Sequence, residues 1–408
     1  MAKAELLRKA LTDGDGILRL APNWVPRVFC VPGGRLKLHP KDLYALGKNR
    51  GGIDERWLAS TTKADNGPGT PEDEGLSYIV IDHNGQTKRI LLKEAIELMG
   101  DAIIGKQLME EHGSWPMFSK FFDNHAPLPH HVHLGDEHAA NVGAVGKPEG
   151  YYFPPHLNFT RGLFPFTFFG LRPGTSRDEV LNSLSRFEAG DNQILELSQA
   201  YKLEPGTGWY VPPGLLHAPG TLVTYEPQRA SDVFSMFQSI VWDQPISRDL
   251  LIKDVPANRH HDLEYILSIL DWEENVDPYL AKNKFIRPVP VMPISEMKED
   301  GYVEKWIVYG SEYFSAKELT VLPGRKVTIR DDGAYGAIVM QGHGKMGSLS
   351  IDTSALIRFG QMTSDEVFVT YEAARAGIET VNESATDDLV ILKHFGPGIS
   401  GVPDMQSI

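Results

Sequence analysis

His131 and His133 stand either side of Val132 in the stretch PLPHHVHLGDEHAANVGAVGKPEGYY, residues 127–152, the span of this chain richest in metal-competent side chains. In a β-strand alternate side chains share a face, so the two imidazoles point the same way and His130 points the other. Neutral imidazole suits zinc, copper, iron and nickel. A carboxylate from Glu137 or Glu149 would extend the donor set, and a further ligand has to come from a distant strand. His217, in the turn-rich stretch WYVPPGLLHA, is the candidate.

Such a site needs strands to fix it. Ahead of it, WPMFSKFFD and GGIDERWLAST read as strands, separated by the surface loop TKADNGPGTPEDEG. Leu91, Leu92, Ala95, Ile96 and Met99 fall at helical spacing, with Gly100 as the expected stop. After the site, YYFPPHLNFTRGLFPFTFFGL predicts two short strands around a loop, its aromatic residues serving as core. Ser176 and Glu179 have the spacing of a capping box, and Val180, Leu184 and Phe187 form one face of the helix that follows. Residues 194–226 predict a series of tight antiparallel hairpins punctuated by EPG and PPG turns. Leu263, Ile266, Leu267 and Leu270 mark a connector helix, and many short strands from Phe285 onward predict a second all-β unit. The expected division is a metal-binding domain with helical insertions over 1–250, a helical connector over 251–284 and a second β domain over 285–408.

At 408 residues the chain has room for large buried cores, and 41% hydrophobic with 23% charged residues is the composition of a globular protein. A net charge of −14 argues against nucleic acid and anionic membrane surfaces as partners. The single cysteine, Cys30, rules out an intrachain disulfide framework and any cysteine-rich zinc site, in keeping with a reducing compartment. Without an apolar run of signal-peptide or membrane-spanning length, the expected location is the cytoplasm.

Gly206, Pro212, Gly214 and His217 fit G-x5-P-x-G-x2-H, which resembles the second motif of the cupin barrel. HVHL, with Glu137 in register, resembles part of its first motif. The fold this implies is mainly β, with two cupin barrels of double-stranded β-helix (jelly-roll) type and added α-helices. GGIDERW, FSKFFD, HVHL with GKPEGYY, FFGLRPGTSRDEV and WYVPPGLLHA together resemble the type I phosphomannose isomerase family, especially its short bacterial members, over most of the chain. That resemblance implies one zinc ion on His131, His133, Glu149 and His217, with Glu149 preferred over Glu137. It places Lys147 at the sugar and Glu226 at the family's active-site glutamate, followed in register by Ser231 and Asp232. The activity implied is isomerisation of mannose 6-phosphate to fructose 6-phosphate, or of a related sugar, through an enediol. Glu226 would act as base, with Lys147 as its electrostatic partner.

Two positions depart from the family pattern. His131 replaces a glutamine, giving a three-histidine, one-glutamate set that is also suited to an iron or manganese oxygenase. Met236 replaces an arginine, so the cation for a phosphate would have to be Arg161 or Arg229. Loss of that arginine also fits a non-catalytic sugar-binding protein. Beyond Lys284 the only histidines are His343 and His394, neither at cupin ligand spacing, so the second barrel is expected to be metal-free and structural.

Overall fold

The computed structural model describes residues 3–405, and its architecture is mainly β. One barrel is closed by two facing sheets. The first runs, in spatial order, Asn23–Arg27, Gly52–Leu58, Met117–Phe122, Thr224–Arg229, Glu149–Tyr152, Gly208–Val211 and Phe285–Ile286. The second runs Ser198–Lys202, Phe166–Leu171, His217–Ala218, His131–Val132 and Ser235–Met236. The other barrel pairs a seven-stranded sheet, centred on Tyr335–Gln341 and Leu389–Phe395, with a four-stranded one. The strand Ile17–Arg19 crosses from the start of the chain to pair with Glu366–Val369, at an edge of that second seven-stranded sheet.

The hairpin series expected over 194–226 does not form. Ser198–Lys202, Gly208–Val211, His217–Ala218 and Thr224–Arg229 alternate between the two sheets, and none pairs with the next. The intervening turns contain Pro205, Pro212, Pro213 and Pro219. Proline lacks the N–H that a hairpin ladder would use, so the chain crosses the gap of about 10 Å between facing sheets instead. This crossing brings residues distant in sequence face to face across one cavity.

Two helical expectations are met locally. The capping box forms as read, with Ser176 accepting from the Glu179 backbone N–H while the Glu179 carboxylate accepts from the Ser176 N–H. The helix expected to stop near Gly100 breaks there: Leu92–Ile103 is two helical segments joined across a kink at Met99, whose φ −145° and ψ 34° are not helical. Gly100 is also a close-packing point, since a Cβ there would lie 2.3 Å from Met109 Sδ. The chain turns out of the helix further on, through Gly105 at φ 89°.

The helical segment after residue 247 packs Leu251, Ile266 and Leu267 into the same core as Val132, Leu134, Leu171, Val180 and Leu184, beside the five-stranded sheet. It also braces the loop that carries His217. Asn275 Nδ2 donates to the Gly214 carbonyl at 2.7 Å, and the Leu216 N–H donates to Asn275 Oδ1 at 2.9 Å.

Buried polar contacts join the barrels. Arg56 donates both Nη groups to Asp365 at 2.8 Å, a bidentate geometry with directional strength. Tyr225 OH meets His394 Nδ1 at 2.8 Å, and burial pushes the His394 imidazole down from 6.5 to about 3. The unfolded chain therefore binds a proton that the folded chain refuses between those values. His394's contribution to stability is complete above pH 6.5 and is lost as the pH falls towards 3. Urea titrations of wild type and His394→Gln should differ in this window by about one proton, or about 1.4 kcal/mol per pH unit. Parallel curves would show that His394 does not drive the acid sensitivity.

Candidate metal centre

His131 and His217 are direct cross-strand partners in the five-stranded sheet, and His133 follows two residues along on the same face. The PPG turn supports this arrangement. Gly214, at φ 81°, donates its N–H to the His133 carbonyl at 2.8 Å, and a Cβ at this position would crowd Asp271 N at 2.8 Å. His130, on the opposite face, meets Ser198 Oγ at 2.6 Å, as strand alternation requires.

Each of the three inward-facing imidazoles is oriented by a backbone carbonyl. Nδ1 of His131 lies 2.7 Å from Pro129 O, that of His133 2.8 Å from Val233 O, and that of His217 2.8 Å from Leu215 O. A carbonyl can only accept, so each Nδ1 carries the proton and each Nε2 presents a lone pair. Ligating nitrogens of all three rings lie within 4.8 Å of one another. Burial lowers His131 well below its usual value, helped by His217 and His133, and lowers His133 to about 4, so both rings stay neutral near pH 7.

Glu149 opens the strand Glu149–Tyr152 in the facing sheet, where it pairs with Val211 and Gln228. Its oxygens lie 2.9 Å from His133 Nε2 and 3.1 Å from His217 Nε2. Burial opposes its ionisation, yet the Lys147 ammonium beside it holds the carboxyl well below the ordinary carboxylate range. As ligands, His133 and His217 would turn Nε2 lone pairs towards an ionised carboxylate, which is repulsive unless a cation lies between them. Lys147 Nζ, 3.0 Å from both His133 Nε2 and Glu149 Oε2, lies between that pair, whereas buried His217 Nε2 has no hydrogen-bond partner. The donor set and the unpaired His217 nitrogen fit a divalent metal ion.

A chain of alternating charges continues from the carboxylate. Lys147 Nζ lies 3.0 Å from Glu149 Oε2 and 3.6 Å from Glu226 Oε1. Lys120, the cross-strand partner of Glu226, lies 3.2 Å from that carboxylate and 3.3 Å from Glu55. Arg27 closes the chain, with Nε 3.1 Å from Glu55 and Nη2 3.0 Å from Asp232. Burial, with the nearby Glu149 charge, pushes Glu226 up to about 8. Tyr151 OH donates to Glu149, giving this aromatic a polar task beyond the core packing expected of it.

His131, His133, Lys147, Glu149, Glu226, Asp232 and Met236 all line one cleft. Arg161 and Arg229, the expected phosphate cations, do not. Arg161 is exposed on the loop that follows Leu157. Arg229 turns outward at the end of its strand, pairs with Asp136 at 2.7 Å and covers the Tyr313 ring at 4.3 Å. Glu137 is exposed on the short helix Asp136–Ala140, away from the cleft lining. Arg27, Glu55 and Lys120 were not anticipated. Their signal was a charge inside an apolar strand, as in MFSKFF and GIDERWL, because such residues are rarely buried unless paired.

No protein-family model and no curated protein sequence matches the chain. Solved structures do share its fold. A protein from Archaeoglobus fulgidus assigned as a mannosephosphate isomerase superposes with a TM-score of 0.60 at 15% identity, covering 94% of this chain and 98% of that one. The mannose 6-phosphate isomerase of Bacillus subtilis gives 0.58 at 16%, covering 93% and 99%. A zinc-bound mannose 6-phosphate isomerase gives 0.58 at 13%, covering 94% and 100%. The resemblance read from the motifs therefore holds for the fold along nearly the whole chain. Among the described residues no helix is long and apolar enough to cross a membrane.

Proposed function

We propose that this chain is a divalent-metal-dependent aldose–ketose isomerase using zinc. The carrying observation is the convergence of three carbonyl-oriented imidazoles and Glu149 on one point, with Lys147 and Glu226 beside it in the same cleft. His131, His133, Glu149 and His217 would hold the metal, and the shared fold with zinc-bound mannose 6-phosphate isomerase supports zinc. A bound divalent cation supplies Lewis-acid polarisation of a sugar's carbonyl and neighbouring hydroxyl oxygens.

The chain's own residues supply the proton chemistry. Glu226, as carboxylate, removes the proton from C2 of an aldose, leaving an enediol, and returns it to C1, while the hydroxyl proton passes from O2 to O1. Lys147, in contact with both Glu149 and Glu226, stabilises negative charge as it shifts between carboxylate and substrate. Burial of both side chains keeps bulk water from competing for the proton. Incubating the zinc-loaded protein in D2O with mannose, lyxose, mannose 6-phosphate and fructose 6-phosphate should give deuterium exchange at C2 and aldose–ketose interconversion for at least one of them. No exchange with any would end the isomerase reading. The third imidazole, His131, favours a second reading as an iron or manganese oxygenase, which predicts oxygen consumption with those metals instead.

A further inference from the structure

We propose that the sugar accepted by this cleft is uncharged: its terminal carbon carries a hydroxyl or a methyl group, not a phosphate. The inference rests on the isomerase reading for the carbonyl end of the substrate and concerns the opposite end. Met236, 2% exposed, is the cross-strand partner of His131, so its thioether borders the metal centre itself. With Phe29, Leu128, Pro219 and Phe234 it makes the apolar side of the cleft lining. Phe29 and Leu128 also line the apolar hollows either side of the hairpin tipped by Trp242, so the apolar surface continues outward from the cleft.

The cations of the cleft are already committed. Arg27 directs Nε to Glu55, Nη1 to Asn66 and Asp232, and Nη2 to Asp232, leaving its fork without a face for a phosphate. Lys120 sits between Glu55 and Glu226, and Lys147 between Glu149, His133 and Glu226. Behind Phe234, Lys253 covers that ring at 4.5 Å and is paired with Asp65 at 2.8 Å and Asp254 at 2.9 Å. A phosphate dianion entering here would have to break a buried ion pair, stranding the displaced carboxylate in an apolar surrounding. A hydroxyl or methyl terminus against Met236 and Phe234 carries no such penalty.

The test is calorimetric titration of the zinc-loaded, full-length protein with mannose, 6-deoxymannose and mannose 6-phosphate, with turnover of each followed separately. The neutral sugars should bind at least about tenfold more tightly than the phosphorylated one, because only the dianion needs an unpaired cation. Met236→Arg should reverse the order, gaining affinity for mannose 6-phosphate and losing it for 6-deoxymannose. Should that variant fail to fold, as its melting curve would reveal, the wild-type ratio decides alone. Equal or tighter binding of mannose 6-phosphate by the wild type, or no binding of either neutral sugar, overturns the proposal. Preferential binding of neutral sugars without interconversion of any would leave it standing and remove the isomerase reading.

Discussion

His217→Ala is expected to lower zinc affinity by more than about a hundredfold, since loss of an outer-shell partner alone costs about 10- to 100-fold, and to abolish isomerisation with it. His217 is fully buried, is the direct cross-strand partner of His131, and is the proposed ligand drawn from farthest along the sequence. Removing it leaves two imidazoles from a single strand and one carboxylate, one protein ligand fewer, with the side of the ion that His217 covered left open. The fold should survive. The lost ring leaves a cavity costing about 2–4 kcal/mol, but in the metal-free chain it also removes a lone pair 3.1 Å from Glu149. His130→Ala is the matched control, because that ring lies one residue away on the opposite face and touches Ser198 rather than the cleft. Zinc content after dialysis, measured beside melting temperature, separates the two variants. One equivalent of zinc retained by folded His217→Ala would exclude it as a ligand.

The parts of this site that were legible in the sequence are those written in short-range spacing. A histidine pair at i and i+2, and the glycine and prolines leading into His217, carry backbone geometry within a few residues, so face and turn follow from them. The hairpin expectation over 194–226 failed for a complementary reason: alternation and turn residues announce strands without saying which sheet each one joins. His217 pairs with His131 and Phe169, far away in the chain, and not with the strand immediately before it. Charge alone points to Arg161 and Arg229 as phosphate cations, whereas Arg229 is drawn outward by Asp136 and Tyr313. Lys120 and Arg27 are not legible as site residues in the sequence because the charges that justify burying them, Glu226, Glu55 and Asp232, come from three other stretches. Isolated charges inside apolar strands were the available signal, and it points to the need for a partner without identifying one.

Glu226→Gln should leave zinc content and substrate KM close to wild type while lowering kcat by about 10²- to 10⁴-fold, the range for losing a positioned general base. The amide keeps the size of the carboxylate and its place opposite Lys120, but it cannot take a proton from carbon. The pH dependence carries the sharper signature. Burial and Glu149 push Glu226 up to about 8 in the metal-free chain. A base must be ionised to work, so wild-type kcat/KM should fall as the pH drops through its pKa. A divalent cation on Glu149 offsets one cause of the upward push, which moves that acid limb below pH 8 in the loaded protein. The residual rate of the variant should lack this limb. Stability should respond in the opposite sense. A carboxyl whose folded pKa is raised binds more protons in the folded chain than in the unfolded chain, so metal-free wild type loses stability as the pH rises from 4.5 towards 8. Metal-free Glu226→Gln should escape that loss. A variant that kept the wild-type rate and acid limb would remove Glu226 from the proton path, and Lys147 would then be the remaining candidate within reach of Glu149.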